Sequence, residues 1–156
     1  MVLLEDTRNQ IGKHKNIEAY CRQAGIEIIR TKLLVGDYML AGSEGGGISV
    51  DTKTLGVPEL ASNCFQEHVR FRAECETAQK CGIQLIVLVE ESLPGGRLEN
   101  WRSPMGRDGL PLYRFDPAVL RKVLITMQER YQVKFRFVDG RSTGKVLIEY
   151  LKGERK

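Results

Sequence analysis

The sequence is poor in the residues that build disulfide frameworks, zinc sites and membrane-spanning helices. Its four cysteines contain no Cys-x-x-Cys pair, and its two histidines, His14 and His68, do not complete a zinc spacing. The apolar run at residues 85–89 is far shorter than a bilayer-spanning segment. We therefore expect free, mostly buried thiols in a reducing compartment, and no membrane partner.

Two further signals are missing. The N-terminal residues lack the charged and apolar regions of a signal peptide, so we expect an intracellular protein, either cytoplasmic or nucleoid-associated. No glycine-rich phosphate loop precedes a helix, because Gly45 to Gly47 lead into a predicted strand. An unrelated regulatory or nucleotide-binding α/β domain is therefore a weaker hypothesis.

The length of the chain indicates the number of domains, and its charge indicates which partners are compatible. The 156 residues are enough for one domain with a substantial core, and we assign residues 1–156 to it. The net charge of +4 and the pI of about 8.9 are mildly basic. This balance is compatible with a polyanionic partner such as DNA but does not require one.

The hydrophobic pattern predicts alternating strands and helices. We place strands at 2–4, 26–34, around Tyr38, around Val50, at 84–90 and at 133–138. We place helices at 14–24, 54–80 (one helix or two), 117–131 and 141–153. This order predicts an α/β domain with a central mixed sheet flanked by helices.

Three apolar stripes at helical spacing indicate which helix faces are buried. They are Phe65–Val69–Ala73, Val119–Val123–Met127 and Leu147–Tyr150–Leu151. Residues 92–116 differ in composition, because they hold three of the five prolines, four of the sixteen glycines and the only tryptophan. We interpret them as a long loop, which in a compact domain is usually functional or disordered.

The residues with the clearest chemistry lie in a predicted β-hairpin at 33–53. If its turn centres near Glu44, Asp37 lies about opposite Asp51, and side-chain alternation puts Asp51 and Lys53 on one face. Two close carboxylates repel each other, and a divalent cation such as Mg²⁺ relieves that repulsion. Lys53 could then orient a water or stabilise charge on a phosphate. The alternative is ordinary turn chemistry and a solvated polar strand.

Three short motifs then occur in a fixed order along the chain. They are Asp6-Thr7-Arg8-Asn9, Gly36-Asp37-Tyr38 and Asp51-Thr52-Lys53. Together with the buried strand at 85–91, they resemble the Asp-x-Arg-Glu, Gly-Asp-Tyr and Glu-Arg-Lys motifs of the XPF-type nuclease domain. That domain belongs to the PD-(D/E)XK, or restriction-endonuclease-like, superfamily. The resemblance covers residues 2 to about 90 and implies a restriction-endonuclease-like fold.

The resemblance implies a divalent-metal-dependent DNA endonuclease that hydrolyses phosphodiester bonds, with branched or flapped DNA as candidate substrates. It implies metal ligation by Asp37, Asp51 and the backbone carbonyl of Thr52, with Lys53 as the catalytic lysine. Asp6 would be an outer ligand or a structural anchor. The implied cofactor is Mg²⁺, for which Mn²⁺ would substitute, and the implied products carry a 5′-phosphate and a 3′-hydroxyl. The pathway is open between repair, recombination and a mobile element.

Three family residues are replaced in this chain. Asn9 stands for a Glu, Thr52 for an Arg, and Val57 for an Asp that often follows the lysine by four residues. A second hypothesis is therefore an inactive, nuclease-like module that binds DNA or a partner protein without cutting. The intact pair of aspartates and the lysine of the hairpin argue against it.

Candidates for DNA contacts are mostly basic side chains, since phosphates dominate DNA affinity. They are Arg8, Gln66, Arg70, Arg72, Arg97, Arg102 and Arg107. For any single arginine, a solvated surface is the competing interpretation. Trp101 has two readings: it stacks on an unpaired base, or it pins the loop to the core.

A homodimer is also expected. The helix-hairpin-helix pair that often follows this domain in the family is absent from the sequence, so DNA capture would need the domain's own surface, a second copy or another protein. Pairing would use the helix, strand and helix after residue 116, whose apolar stripes could instead face the sheet.

Overall fold

The computed structural model describes residues 1–43 and 46–156, and its elements alternate in the predicted order. The strands are β1 (Val2–Asp6), β2 (Glu27–Thr31), β3 (Tyr38–Leu40), β4 (Ile48–Lys53), β5 (Gln84–Glu90) and β6 (Lys134–Val138). The helices are α1 (Lys15–Ala24), α2 (Val57–Phe65), α3 (His68–Lys80), α4 (Pro117–Tyr131) and α5 (Thr143–Leu151). Every predicted strand and helix is present, with ends that shift by a few residues.

The six strands form one mixed sheet in the order β2-β1-β3-β4-β5-β6. Strand β1 runs parallel to β2, and β4, β5 and β6 run parallel to one another, whereas β3 is antiparallel to both of its neighbours. This arrangement confirms the predicted α/β fold with a central mixed sheet.

Helices cover both faces of the sheet. Helices α1 and α5 pack on one face through a cluster that includes Ile17, Cys21 and Leu147. Helices α2, α3 and α4 pack on the other face through a cluster that includes Leu60, Phe71 and Leu120. Strand β5 contributes to both clusters because its apolar run alternates between the two faces, as expected for a central strand.

The segment 54–80 folds as two helices, and the predicted Phe65–Val69–Ala73 stripe is wrong. All three of these residues are exposed. The helix is interrupted between α2 and α3, at residues 66–67, so the helical phase restarts in α3. The residues that α3 buries are Phe71, Cys75 and Ala78.

The predicted apolar stripes of α4 and α5 differ in how far they are buried. Leu147, Tyr150 and Leu151 are all buried in the core, as predicted, so this stripe is not available to a partner. In α4 the buried residues are Leu120, Leu124 and Tyr131, whereas Val119 is 45% exposed. The homodimer stays a prediction.

Residues 92–116 connect β5 to α4 mainly as loop. Within the described residues this stretch has two short 3₁₀ turns, Pro94–Gly96 and Leu98–Asn100, and an isolated bridge between Met105 and Pro111. The four cysteines are free and three of them are buried, which confirms the expected free, mostly buried thiols. No helix in the described part of the chain is long and apolar enough to cross a membrane.

Candidate functional site

The hairpin register brings Asp37 and Asp51 together. Tyr38 pairs with Val50 across β3 and β4, and continuing this antiparallel count places Asp37 opposite Asp51. The backbone N–H of Asp37 donates to the carbonyl of Val50 at 2.8 Å. The predicted register is therefore confirmed, although the turn expected near Glu44 lies outside the described residues.

Gly36 is needed for the backbone to enter this register. It has a φ of 74°, and a Cβ at this position would lie 2.1 Å from the hydroxyl oxygen of Ser49. Any side chain here would therefore strain the backbone and displace the Ser49 side chain. Glycine lets the two strands approach closely enough for Asp37 to reach the face of Asp51.

Asp51 and Lys53 form a buried ion pair on β4. The Lys53 Nζ lies 2.8 Å from Asp51 Oδ2, and the two residues are 7% and 6% exposed. Burial raises the pKa of Asp51 to about 6, Lys53 opposes this shift, and the nearby Asp37 adds to it. For Lys53, burial favours the neutral amine, but Asp51 outweighs it and the net pKa is raised. Lys53 therefore stays charged at neutral pH.

Asp37 is held by Thr52. Its Oδ2 accepts hydrogen bonds from the backbone N–H and from the hydroxyl of Thr52, both at 2.8 Å. Since Asp37 also raises the pKa of Asp51, the two carboxylates are close enough to repel each other. A cation placed between them would relieve that repulsion.

These residues fit a magnesium ion. Over residues 1–43 and 46–156, no group of three or more His, Cys, Asp or Glu side chains is arranged to hold a metal. Magnesium, however, usually takes only one or two protein carboxylates and completes its shell with water and substrate phosphate. Asp37 and Asp51 supply that number.

An open cleft of about 1010 Å³ contains this pair of carboxylates. The predicted site residues that line it are Asp6, Arg8, Asp37, Asp51, Thr52, Lys53 and Arg70. The predicted DNA contacts that are not among its lining residues are Gln66, Arg72, Arg97, Trp101, Arg102 and Arg107. The structure therefore brings all the predicted metal ligands into one cleft. Of the predicted DNA contacts, only Arg8 and Arg70 line that cleft.

Of the two roles considered for Asp6, the structure matches the anchor. This side chain is buried, its Oδ1 accepts the N–H of Leu33 at 2.9 Å, and its Oδ2 pairs with the Arg8 Nε at 2.7 Å. Arg8 also donates to the carbonyl of Leu33 at 2.9 Å. Both oxygens of Asp6 thus fix the segment that leads into Gly36.

The arginines outside the cleft make local contacts. Arg97 lies 3.5 Å from Glu99, and Arg102 donates to the carbonyls of Glu99 and Trp101, each at 2.8 Å. Arg72 lines a smaller groove between α3 and α4. Any DNA that these residues bind would have to extend beyond the cleft.

Of the two roles considered for Trp101, the structure matches the one in which it pins the loop to the core. Trp101 is 6% exposed and stacks on Phe115, with ring centroids 5.1 Å apart and an interplanar angle of 15°. Its indole N–H donates to Glu91 at 3.2 Å. A base cannot reach a face that Phe115 already covers, so Trp101 pins the loop to the core.

Fluorescence of Trp101 separates the two roles, because it is the only tryptophan in the chain. We expect the emission of a buried indole, unchanged when single-stranded or branched DNA is added. Quenching by DNA would show that the loop opens and would restore the stacking role.

Sequence reasoning missed two groups at the site, Glu74, which is partly buried, and His14, which is buried. Glu74 on α3 lines the cleft, and its Oε1 accepts the N–H of Gly36 at 2.9 Å. Burial, and then the charge of Asp51, raise the pKa of Glu74. Its position between Phe71 and Cys75 on the inward side of α3 was the available signal, but the wrong helical phase hid it.

His14 is the second missed group. It is 3% exposed and lies between the Tyr38 hydroxyl, 2.6 Å from its Nδ1, and the Thr52 hydroxyl, 3.1 Å from its Nε2. Nothing in the sequence links His14 to Thr52, which follows 38 residues later. The only feature of the sequence that could have drawn attention to His14 is that the chain has just two histidines.

Burial of His14 predicts a pH-dependent stability. Burial, and then the charge of Lys13, lower its pKa from 6.5 to about 4. The unfolded chain therefore binds the proton more tightly, so His14 contributes stability above pH 6.5 that is lost as the pH falls towards 4. Such a shift corresponds to about 3 kcal/mol.

Urea titrations of the wild type and of His14→Gln measure this contribution. Between pH 7 and pH 4, we expect the free energy of unfolding of the wild type to fall by about 3 kcal/mol more than that of His14→Gln. Comparing the two proteins cancels the titration of the carboxyl groups they share. A difference that does not depend on pH would contradict the buried, neutral histidine.

Comparisons with known proteins agree with this fold. The sequence profile of the ERCC4 domain family matches residues 6–150. The solved structure of XPF from Aeropyrum pernix is similar, with a TM-score of 0.67 and 18% identity over 99% of this chain and 65% of that one. Its complex with DNA gives a TM-score of 0.66 and 18% identity over 98% and 64%. No curated protein sequence matches the chain.

These similarities establish the fold of the chain and show how much of the XPF chains it covers. At 18% identity, they establish that the chain has the XPF nuclease fold, which confirms the restriction-endonuclease-like fold expected from the three motifs. The chain spans a little under two thirds of the XPF chains that it matches.

Proposed function

The chain belongs to the ERCC4 domain family, and on that premise we propose that it is a divalent-metal-dependent DNA endonuclease that hydrolyses phosphodiester bonds. One observation supports the proposal above the others. Asp37, which directly precedes β3, meets Asp51 and Lys53 of β4 in an open cleft in the middle of the sheet. A rigid platform of this kind holds reacting groups at fixed distances.

The proposed metal ligands are Asp37, Asp51 and the backbone carbonyl of Thr52. A bound Mg²⁺, or Mn²⁺ in its place, would polarise the scissile phosphate and lower the pKa of an attacking water. The raised pKa of Asp51 supports this assignment, because a carboxylate that is costly to ionise alone gains most from a cation.

Lys53 supplies a second positive charge at the same place. Its ammonium is fixed by Asp51, and the Phe71 ring lies 5.5 Å away. Fixed in this way, it would stabilise the charge that develops on the scissile phosphate without having to reorganise. Arg70 and Lys13 line the cleft with exposed side chains and would bind flanking phosphates.

DNA as the substrate is supported by two observations. One of the similar XPF structures is a complex with DNA. The chain is also mildly basic, with a net charge of +4. The buried thiols Cys21, Cys64 and Cys75 fit the proposal of an intracellular protein.

An inactive, nuclease-like DNA-binding module is the second candidate. The observation that favours it is Val57, which takes the place of a family Asp and is 0% exposed in the core. Here the cleft has no carboxylate from that position. Glu74 reaches the same cleft from α3 and offsets part of that loss.

A cleavage panel separates the two candidates. Linear, flapped and branched DNA are incubated with the protein in Mg²⁺, in Mn²⁺ and in EDTA, and the product ends are identified. We expect metal-dependent cuts that leave 5′-phosphate and 3′-hydroxyl ends. DNA binding without cleavage in either metal would favour the inactive module.

A further inference from the structure

A buried line of hydrogen bonds leads from the core to the candidate metal centre. Tyr38 contacts His14, His14 contacts Thr52, and Thr52 contacts Asp37, at 2.6, 3.1 and 2.8 Å. The first three residues of this line are 0%, 3% and 2% exposed. Water therefore cannot replace one of these partners without a change in packing.

The direction of each hydrogen bond follows from the number of protons available. An ionised carboxylate only accepts, so the single hydroxyl proton of Thr52 must point at Asp37 Oδ2. The Thr52 oxygen can then only accept from the Nε2–H of His14. In the neutral ring, Nδ1 is left to accept from the Tyr38 hydroxyl, so one tautomer satisfies every partner.

We propose that His14 is a positioning residue for the metal centre: its Nε2–H holds the Thr52 hydroxyl, which holds the carboxylate of Asp37 in the orientation that receives the cation. The inference rests on the proposed function, because it concerns the same site. Hydrogen-bonded partners of ligating carboxylates orient the ligand, and removing one costs about 10–100-fold in metal affinity or activity.

The position of Thr52 explains why such a partner is needed. Its backbone N–H and its hydroxyl both reach Asp37 Oδ2. The N–H is fixed by the strand, but a hydroxyl can rotate toward any acceptor nearby. A donor on the far side of the Thr52 oxygen removes that freedom, and His14 is placed there by the start of α1.

Three variants separate positioning from packing. His14→Leu fills the space without a donor, whereas His14→Gln returns an N–H at about the place of Nε2. His68→Gln, at the exposed histidine that begins α3, is the matched control. For each protein we would measure Mn²⁺ affinity by electron paramagnetic resonance, kcat and KM for DNA cleavage, and thermal unfolding.

For His14→Leu we expect Mn²⁺ binding about 10–100-fold weaker than wild type, and a lower kcat with little change in KM for DNA. We expect His14→Gln to regain most of the affinity, and His68→Gln to match wild type. Unchanged Mn²⁺ affinity in His14→Leu would overturn the proposal. Equal losses in His14→Leu and His14→Gln would also overturn it, because packing and not the donor would then be responsible.

If His14→Leu does not fold, nitrogen chemical shifts of His14 in the wild type decide the question. A protonated Nε2 and a bare Nδ1 are expected, and the opposite tautomer would overturn the proposal. A different result would refute the proposed function. A wild type that binds Mn²⁺ but cuts no DNA would refute the nuclease, while the affinities would still test the positioning role.

Discussion

Replacing Asp37 by asparagine is expected to abolish metal-dependent DNA cleavage while leaving the fold intact. The amide can still accept from Thr52, whose N–H and hydroxyl both reach this side chain. It cannot supply the negative charge that the cation needs. Because metal catalysis contributes several kcal/mol, the rate should fall by about a thousandfold or more.

The same change should not destabilise the metal-free protein, since it removes a charge that raises the pKa of Asp51. Asp108→Asn is the matched control, because Asp108 lies on the exposed loop and accepts from the N–H of Leu110 within its own turn. Cleavage rates and thermal unfolding of both variants are compared with wild type. Cleavage by Asp37→Asn at the wild-type rate would show that the site is assigned wrongly.

The second large effect is expected at Lys53. Lys53→Met keeps the length and the apolar stem of the side chain but removes the ammonium that pairs with Asp51. A charge that acts mainly on the transition state contributes to kcat more than to binding, so kcat should fall by about 10²–10³-fold. KM for DNA should change little.

The assay for Lys53→Met is best run at pH 8. Lys53 lowers the pKa of Asp51 in the wild type, so without it Asp51 becomes harder to ionise and the metal binds less well near neutral pH. Lys80→Met, at the exposed end of α3, is the control for a lost positive charge. Lost DNA affinity with an unchanged kcat would reassign Lys53 to simple phosphate binding.

Local patterns in the sequence were enough to predict most of the fold. Strand β5 was predicted with its observed ends, because a nearly continuous apolar run of this length is typical of a strand buried on both faces of a sheet. Helix α4 begins where Asp116 caps it, accepting from Ala118 N–H at 2.9 Å. The phase of α3 was wrong because no glycine or proline marks the break at residues 66–67.

The part of the site formed by residues close together in the sequence could be predicted. Asp37 and Asp51 belong to one hairpin, so counting along two strands gave their pairing. His14 and Glu74 come from helical segments that approach the hairpin only after α1 and α3 pack on opposite faces of the sheet. Trp101 could not be decided from the sequence, since its burial depends on Phe115, which lies on the far side of the loop.

Locating Mn²⁺ by anomalous diffraction is the most direct test of the metal centre. Crystals of the protein with Mn²⁺ and an uncleaved DNA analogue would be measured above and below the manganese edge. We expect one strong peak between the carboxylates of Asp37 and Asp51, within coordination distance of the Thr52 carbonyl. A Mn²⁺ bound elsewhere in the cleft, or none with DNA present, would contradict the account.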